Sequence, residues 1–279
     1  AGELRGYPPS SRRWCDGVRE MNSVINEGDI QPHVSEIYSP PRVTGLASGL
    51  GLIPGMALDL SVVDPDDGKP WDFNDVGKRK KAKDMIVGKK ALLLIGSPMC
   101  SAFSRLQHLN RARLGEWEYQ RKLKEGLTHL RFCARLYKMQ MDNGMYFLHE
   151  HPESAESWKQ ECMKELMEDW KVKEVVGHMC QFGMTQQDVL GTGNVKKPTK
   201  FITNADKIAD RLGRTCRKNC RHIELIGGRA KAAEIYPDEL CMEIIKGLRD
   251  QMEMDGRLLS TGIGCVFAVE EGETELMFY

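Results

Sequence analysis

The sequence has no excess of charge of either sign: Lys and Arg together number 40, and Asp and Glu number 40. That balance excludes attraction to polyanions by bulk charge, so any contact with nucleic acid has to come from local asymmetry. No apolar run approaches the roughly 18 residues that mark a membrane-spanning helix, and no secretory leader opens the chain. The expectation is therefore an intracellular protein with no membrane partner, nuclear if eukaryotic. No internal repeat is present, which excludes solenoids and propellers. The nine cysteines are odd in number and irregularly spaced, a pattern of free thiols in a reducing compartment rather than a disulfide framework. The first residue is Ala rather than Met, which suits a processed or trimmed product or a piece of a larger polypeptide.

What is present is an apolar fraction of 41 % over 279 residues, enough for one large α/β domain or a catalytic domain with an appendage. Residues 1–34 read as a loosely structured arm with a short helix near Trp14–Asn22. A strand-like stretch at Ser35–Tyr38 leads into Pro40–Pro41, and a second runs from Met56 to Leu60. A Pro/Asp/Gly loop follows at Asp64–Pro70, then a basic segment, Lys78–Lys83. Ala91–Ile95 is a continuous apolar run, the signature of a parallel strand covered on both faces. Leu123, Leu127, Leu130, Ala134 and Tyr137 recur at helical spacing and predict a long helix over 116–141. Met145–Leu148, Glu174–Val176 and Lys200–Thr203 are further strands, Ser157–Trp170 is an amphipathic helix, and Lys231–Leu248 is a helix broken or restarted at Pro237. Strands alternating with helices predict an α/β fold with a mainly parallel, doubly wound sheet over 35–250, leaving 251–279 as a tail of unassigned role. In such sheets the reactive groups gather just beyond the strand C-termini.

Gly96-Ser97-Pro98-Met99-Cys100-Ser101-Ala102-Phe103-Ser104 follows the apolar strand. A cysteine at a strand-to-helix turn lies near free backbone N–H groups and a helix N-terminus, both of which favour thiolate. On position alone, the alternative of a buried inert thiol weighs equally. The segment resembles the Pro-Pro-Cys-Gln-x-Phe-Ser signature of cytosine-5 DNA methyltransferases, with Pro98, Cys100, Phe103 and Ser104 on matching positions. Phe147-Leu148-His149-Glu150-His151-Pro152 resembles that family's Glu-Asn-Val or Glu-Asn-Pro element, with His151 in place of Asn. Met179-Cys180-Gln181-Phe182-Gly183-Met184, followed by Lys196-Lys197-Pro198-Thr199-Lys200-Phe201-Ile202-Thr203-Asn204, resembles a block reading Cys-x-Tyr-Gly, then Lys-Pro-Thr, then Trp-Thr-Asn. Arg229–Leu240 is similar to the C-terminal element that completes the methyl-donor pocket.

The resemblance implies a Rossmann-like fold of the S-adenosylmethionine-dependent type and DNA as partner. It implies a Cys100 nucleophile that adds to cytosine C6, and a Glu150 acid that stabilises the ring at N3. It further implies cofactor contacts from Tyr38, Ser39, Asp59, Asp72 and Pro98, with Trp71 and Asn74 near the adenine. Nucleic-acid contacts fall on Ser104, Lys197, Lys200, Arg214, Arg217, Lys218 and Arg221. Similar domains also occur inside retroelement polyproteins.

The resemblance departs at the loop after the first strand. Where the family has Phe-x-Gly-x-Gly, this chain has Tyr38-Ser39-Pro40-Pro41-Arg42, which removes two N–H donors and fixes φ. Asp59, about twenty residues on, takes the place of the ribose-binding acid of doubly wound sheets; otherwise it is a turn-initiating Asp. An inactive methyltransferase-like module that only grips nucleic acid is the alternative function, and a Cys/His hydrolase using His149 or His151 is a remoter one. Two basic clusters, Lys78–Lys83 and Arg211–Arg221, fit phosphate binding, and the short stretch near 205–228 stands where the family inserts its recognition region. Cys216, Cys220 and His222 would need a fourth ligand, His178 or Cys180, to hold a metal. Their spacing is unlike that of common zinc knuckles, and no metal is assigned.

Overall fold

The computed structural model describes residues 31–104, 111, 115–217, 220–225 and 229–258. In chain order the elements are β1 (Val34–Ile37), α1 (Val43–Ala47), β2 (Pro54–Leu58), α2 (Val76–Lys89), β3 (Leu93–Gly96), α3 (Glu116–Asp142), β4 (Tyr146–Pro152) and α4 (Glu161–Met167). These are followed by β5 (Lys173–His178), β6 (Thr185–Asp188), β7 (Gly191–Asn194), β8 (Pro198–Thr203), α5 (Asp206–Leu212), α6 (Arg229–Ala232) and α7 (Asp238–Met254). Six strands form one sheet in the order β2-β1-β3-β4-β8-β5, and β6 and β7 form a separate hairpin. The pairings β1–β2, β1–β3 and β3–β4 are parallel, whereas β8 runs antiparallel to both β4 and β5. The expected mainly parallel α/β sheet is present.

Side chains of a strand alternate between faces, and here both faces are covered. Leu93, Ile95 and Leu148 join one core with residues of α1, α5 and α7, while Leu94 and Phe147 join the other with residues of α2, α3 and α4. Each fully buried aliphatic contributes roughly 1.5–3 kcal/mol over leaving it in water. The same alternation governs β4 beyond Leu148. His149 and His151 share a face with Tyr137 and Trp158, and Glu150 points to the opposite side, where Tyr236 meets it.

The chain leaves β1 for β2 on one side and then returns to β3 on the other, so the connections diverge between β1 and β3. Ligands of open α/β sheets bind at such a switch point, outside the strand C-termini. Close approach there rests on two glycines. A Cβ on Gly96 would lie 2.2 Å from Tyr137 Oη, and one on Gly126 of α3 would lie 2.6 Å from the Ala102 Cβ.

Several boundaries shift from the sequence reading. β1 begins at Val34, inside the expected arm, and α7 runs to Met254, past the expected tail boundary. The expected helix over Ser157–Trp170 resolves into a single turn at Glu156–Lys159 and α4. The basic segment Lys78–Lys83 lies within α2, capped by the Asp75 side chain on Gly77 N–H at 2.6 Å. The helix near Trp14–Asn22 and most of the tail lie outside the described residues. Among the described residues, no helix is long and apolar enough to cross a membrane.

Candidate active site

A cavity of about 390 Å³ opens at the switch point, lined by the ends of β1, β2, β3 and β4 and by residues 234–236. That volume lies toward the lower end of the range of small-molecule pockets. Cys100, Glu150, Tyr38, Ser39, Asp59, Asp72, Pro98 and Lys197 all line it, so the structure gathers both expected catalytic residues and all five expected cofactor contacts around one space.

Cys100 precedes a single helical turn, Ser101–Phe103, whose Phe103 N–H donates to Cys100 O at 2.9 Å. Its loop is pinned from both sides. His151 Nε2 lies 2.7 Å from Pro98 O, and His151 Nδ1 lies 2.7 Å from Ser157 Oγ. A carbonyl only accepts, so Nε2 carries the proton and Nδ1 accepts from the serine. Burial lowers the pKa of His151, which keeps that neutral tautomer in place. On the other side Ser97 Oγ bonds Tyr236 Oη. The cysteine itself is half-buried.

The thiol does not behave as its position predicted. Burial pushes its pKa up, the Glu150 charge pushes it further, and the Lys197 ammonium opposes them. The expected thiolate stabilisation is overturned because one helical turn carries little dipole, whereas a buried carboxylate faces the sulfur. At rest the Cys100 sulfur is held as a thiol.

Glu150 is buried. Its Oε2 accepts from Tyr236 Oη at 3.1 Å, and Oε1 lies 3.8 Å from Lys197 Nζ. Oε1 is buried and has no hydrogen-bond partner among the described residues, an acceptor left open. Lys197 Nζ donates to Ala233 O at 3.0 Å, so the C-terminal element holds the lysine against the carboxyl. Of the two β4 histidines, His151 lines the cavity and His149 lies behind it. Tyr137 Oη donates to Gly96 O at 2.9 Å and therefore accepts from His149 Nδ1 at 3.0 Å. This fixes the neutral imidazole and accounts for an unpartnered Nε2. His149 lies outside the cavity lining, and both ring nitrogens of His151 are engaged.

The loop after β1 is organised by a residue that sequence reasoning missed. Glu36, fully buried, accepts from Arg42 N (3.1 Å), Thr44 N (2.8 Å), Thr44 Oγ1 (2.8 Å) and Ser39 Oγ (2.8 Å). Tyr38 sits at φ 59°, a left-handed backbone rare outside glycine, and its hydroxyl meets His129 Nδ1 at 2.9 Å. Asp59 Oδ1 accepts from Ser61 N and Oγ at 2.9 and 2.7 Å, so one oxygen is a turn initiator. Its Oδ2 has no hydrogen bond among the described residues. Asp72 Oδ1 takes Asn74 N at 2.9 Å. Trp71 is buried, its ring beneath Lys78 and Lys81 at 4.9 and 5.3 Å.

The basic clusters are largely paired with acids, with Lys78 alone among their described residues buried. Lys78 and Lys81 pair with Asp64 at 2.6 Å each, and Lys80 pairs with Asp84. Arg211 and Arg214 bind Glu243, and Arg221 binds Asp188 at 2.8 Å. Lys200 pairs with Glu174 at 2.9 Å and lies over Trp158, away from the cavity. These charges were expected on phosphate; the structure gives them acid partners instead. Arg217 is exposed, Ser104 is half-buried at the end of the Cys100 turn, and Lys218 lies outside the described residues.

Tyr236, which joins Glu150 to Ser97, was flagged only as part of a block. Nothing in its spacing singled it out. Searched against models of known families and against curated proteins, the chain matches none.

Proposed function

We propose that this protein is a DNA cytosine-5 methyltransferase that uses S-adenosylmethionine and a Cys100 adduct. The observation that carries the reading is the pairing in one switch-point cavity of a half-buried thiol with a buried carboxyl whose Oε1 is open. Glu150 Oε2 is occupied by Tyr236, so Oε1 is the oxygen left to meet N3 of a cytosine flipped into the cavity. Cys100 gives its proton to solvent water and its sulfur adds to C6; Glu150, protonated when the base binds, donates that proton from Oε1 to N3, where the ring electrons collect. Lys197 offsets the negative charge beside the sulfur. After methylation, the C5 proton passes to solvent water, and its electron pair reforms the C5–C6 double bond and expels the Cys100 sulfur as thiolate. That thiolate takes a proton from water while N3 returns its proton to Glu150.

The cavity fits the cofactor class at its β1–β2 side. Asp59 stands at the β2 end, where its second carboxylate oxygen could meet ribose hydroxyls, and Tyr38, Ser39, Leu60, Phe73 and Asp72 complete that wall. S-adenosylmethionine would supply the methyl group there. A second reading, a module that grips DNA without transferring methyl, is favoured by one observation: Glu36 already takes the Arg42 and Thr44 N–H groups, and Pro40–Pro41 offer none.

Incubating the full chain with labelled S-adenosylmethionine and cytosine-containing duplex or single-stranded DNA separates the two. Label at C5 that disappears in Cys100→Ser supports the enzyme. DNA binding with no label on the base, and no trapping by a C5-fluorinated cytosine, supports the module.

A further inference from the structure

Three cysteines and a histidine distant in sequence converge outside the cavity. Cys180 lies on the turn after β5, and Cys216, Cys220 and His222 lie in the segment after α5. Their ligand atoms all fall within 4.8 Å of one another. Cys216 Sγ is 3.8 Å from Cys220 Sγ and 3.5 Å from His222 Nε2, which is 3.3 Å from Cys220 Sγ. We propose that Cys180, Cys216, Cys220 and His222 bind one structural zinc ion.

The edges of the cluster carry the argument. A tetrahedron with Zn–S bonds of about 2.3 Å and a Zn–N bond of about 2.0–2.1 Å has S···S edges near ~3.8 Å and S···N edges near ~3.5 Å. The three separations among Cys216, Cys220 and His222 reproduce these edges within a few tenths of an ångström, and the Cys180 sulfur lies within 4.8 Å of each of them. A disulfide would bring two sulfurs to about 2.05 Å, far inside the Cys216–Cys220 distance. Three soft thiolates and an imidazole select zinc over the oxygen-seeking cations. Because all four positions come from protein, the site is closed and structural rather than catalytic.

The surroundings hold the ligands in place. His178 Nδ1 accepts from Cys216 N at 2.8 Å, so the other candidate for a fourth ligand fixes the backbone of one. Asn194 clamps both sides of His222, accepting from Ile223 N at 2.7 Å and donating to Arg221 O at 3.1 Å. Such partners orient metal ligands. The stretch from Gly213 to Leu225 has no helix or strand among its described residues and buries little beyond Cys216 and Ile223. A metal cross-link supplies what its packing lacks. The link also reaches the active-site side: Met179 N–H, beside Cys180, donates to Lys196 O at 2.9 Å, one residue from Lys197. The zinc assignment does not rest on the methyl-transfer reading.

The test is metal analysis of the full chain purified under reducing conditions from zinc-supplemented culture. About one zinc per chain is expected, retained in Cys162→Ser and lost in a Cys180→Ser/Cys216→Ser double variant. Cobalt exchanged into the wild-type chain should show tetrahedral thiolate absorption. Stripping zinc with a chelator should lower the melting temperature by at least about 5 °C. Zinc-free wild type, iron in place of zinc, a Cys216–Cys220 disulfide in a peptide map, unchanged melting after stripping, or full zinc retention by the double variant would each overturn the assignment. Should the double variant fail to fold, wild-type stoichiometry and the cobalt spectrum decide.

Discussion

Among the described residues, two settings of cysteine stand in sharp contrast. Cys100 stands alone at the end of a parallel strand, facing a carboxylate and an ammonium across an open cavity. Cys180, Cys216 and Cys220 face one another and an imidazole across a few ångströms, on segments with little regular structure. On the proposed reading the lone thiol beside an acid meets a substrate, and the thiols that converge meet an ion. The parallel half of the sheet thus presents chemistry from rigid strand ends. The region beyond β5 and β8 presents side chains whose geometry needs a cross-link.

Exchanging the sulfurs is the most severe way to test that contrast. Cys100→Ser should abolish methyl transfer by at least about 10⁴-fold with DNA binding and melting temperature unchanged, whereas Cys162→Ser should leave turnover intact. Transfer persisting in the Cys100 variant would remove the distinction between the two settings.

Glu150→Gln sharpens the comparison, because it should act on Cys100 and spare the cluster. Turnover should fall about 10²–10⁴-fold. Alkylation of Cys100 by iodoacetamide should accelerate, since the substitution removes a negative charge that raises the thiol pKa. In the wild type that alkylation should keep rising about tenfold per pH unit beyond pH ~8.5, where an ordinary thiol begins to level off. A plateau below that pH would mean the sulfur is not held up by its surroundings.

Much of this arrangement was legible because strands and reactive loops obey simple rules. The run Ala91–Ile95 and the residues just after it located β3 and Cys100, and β4 was expected one turn beyond the long helix that precedes it. The expected 116–141 helix is α3 almost to the residue. What escaped the sequence were features decided by partners far along the chain. Lys78 looked like a surface charge but is buried against Asp64, so α2 lacks a clean apolar stripe. The β6–β7 hairpin is built on Thr, Gln, Gly and Asn, without the alternation that marks strands. Tyr236 and Glu36 act through bonds to residues 86 positions away and to a loop folded back over its own strand. Of the four-ligand cluster the sequence showed three members and left the fourth open between His178 and Cys180, because that ligand lies on a different element from the other three.

Smaller effects probe the supports of the cavity rather than its chemistry. Tyr236→Phe removes one hydrogen bond to Glu150 and one to Ser97, and should lower turnover about tenfold while costing roughly 1 kcal/mol of stability.

Acid should act on the β4 histidines before the chemistry. His149 and His151 are buried and neutral, each with its pKa lowered by burial. The unfolded chain binds their protons from about pH 6.5 downward while the folded chain does not. Stability contributed by the neutral forms is thus complete above pH ~6.5 and falls as pH drops, by up to roughly 1.4 kcal/mol per pH unit for each histidine until its folded pKa is reached. Melting curves from pH 7.5 to 5 should show that decline, and His149→Gln should flatten part of it, because a side chain that does not titrate contributes no such slope. An unchanged slope in that variant would mean that the imidazole beneath Gly96 takes up its proton in the folded state, and the tautomer that holds Tyr137 against the strand end would have to be reassigned.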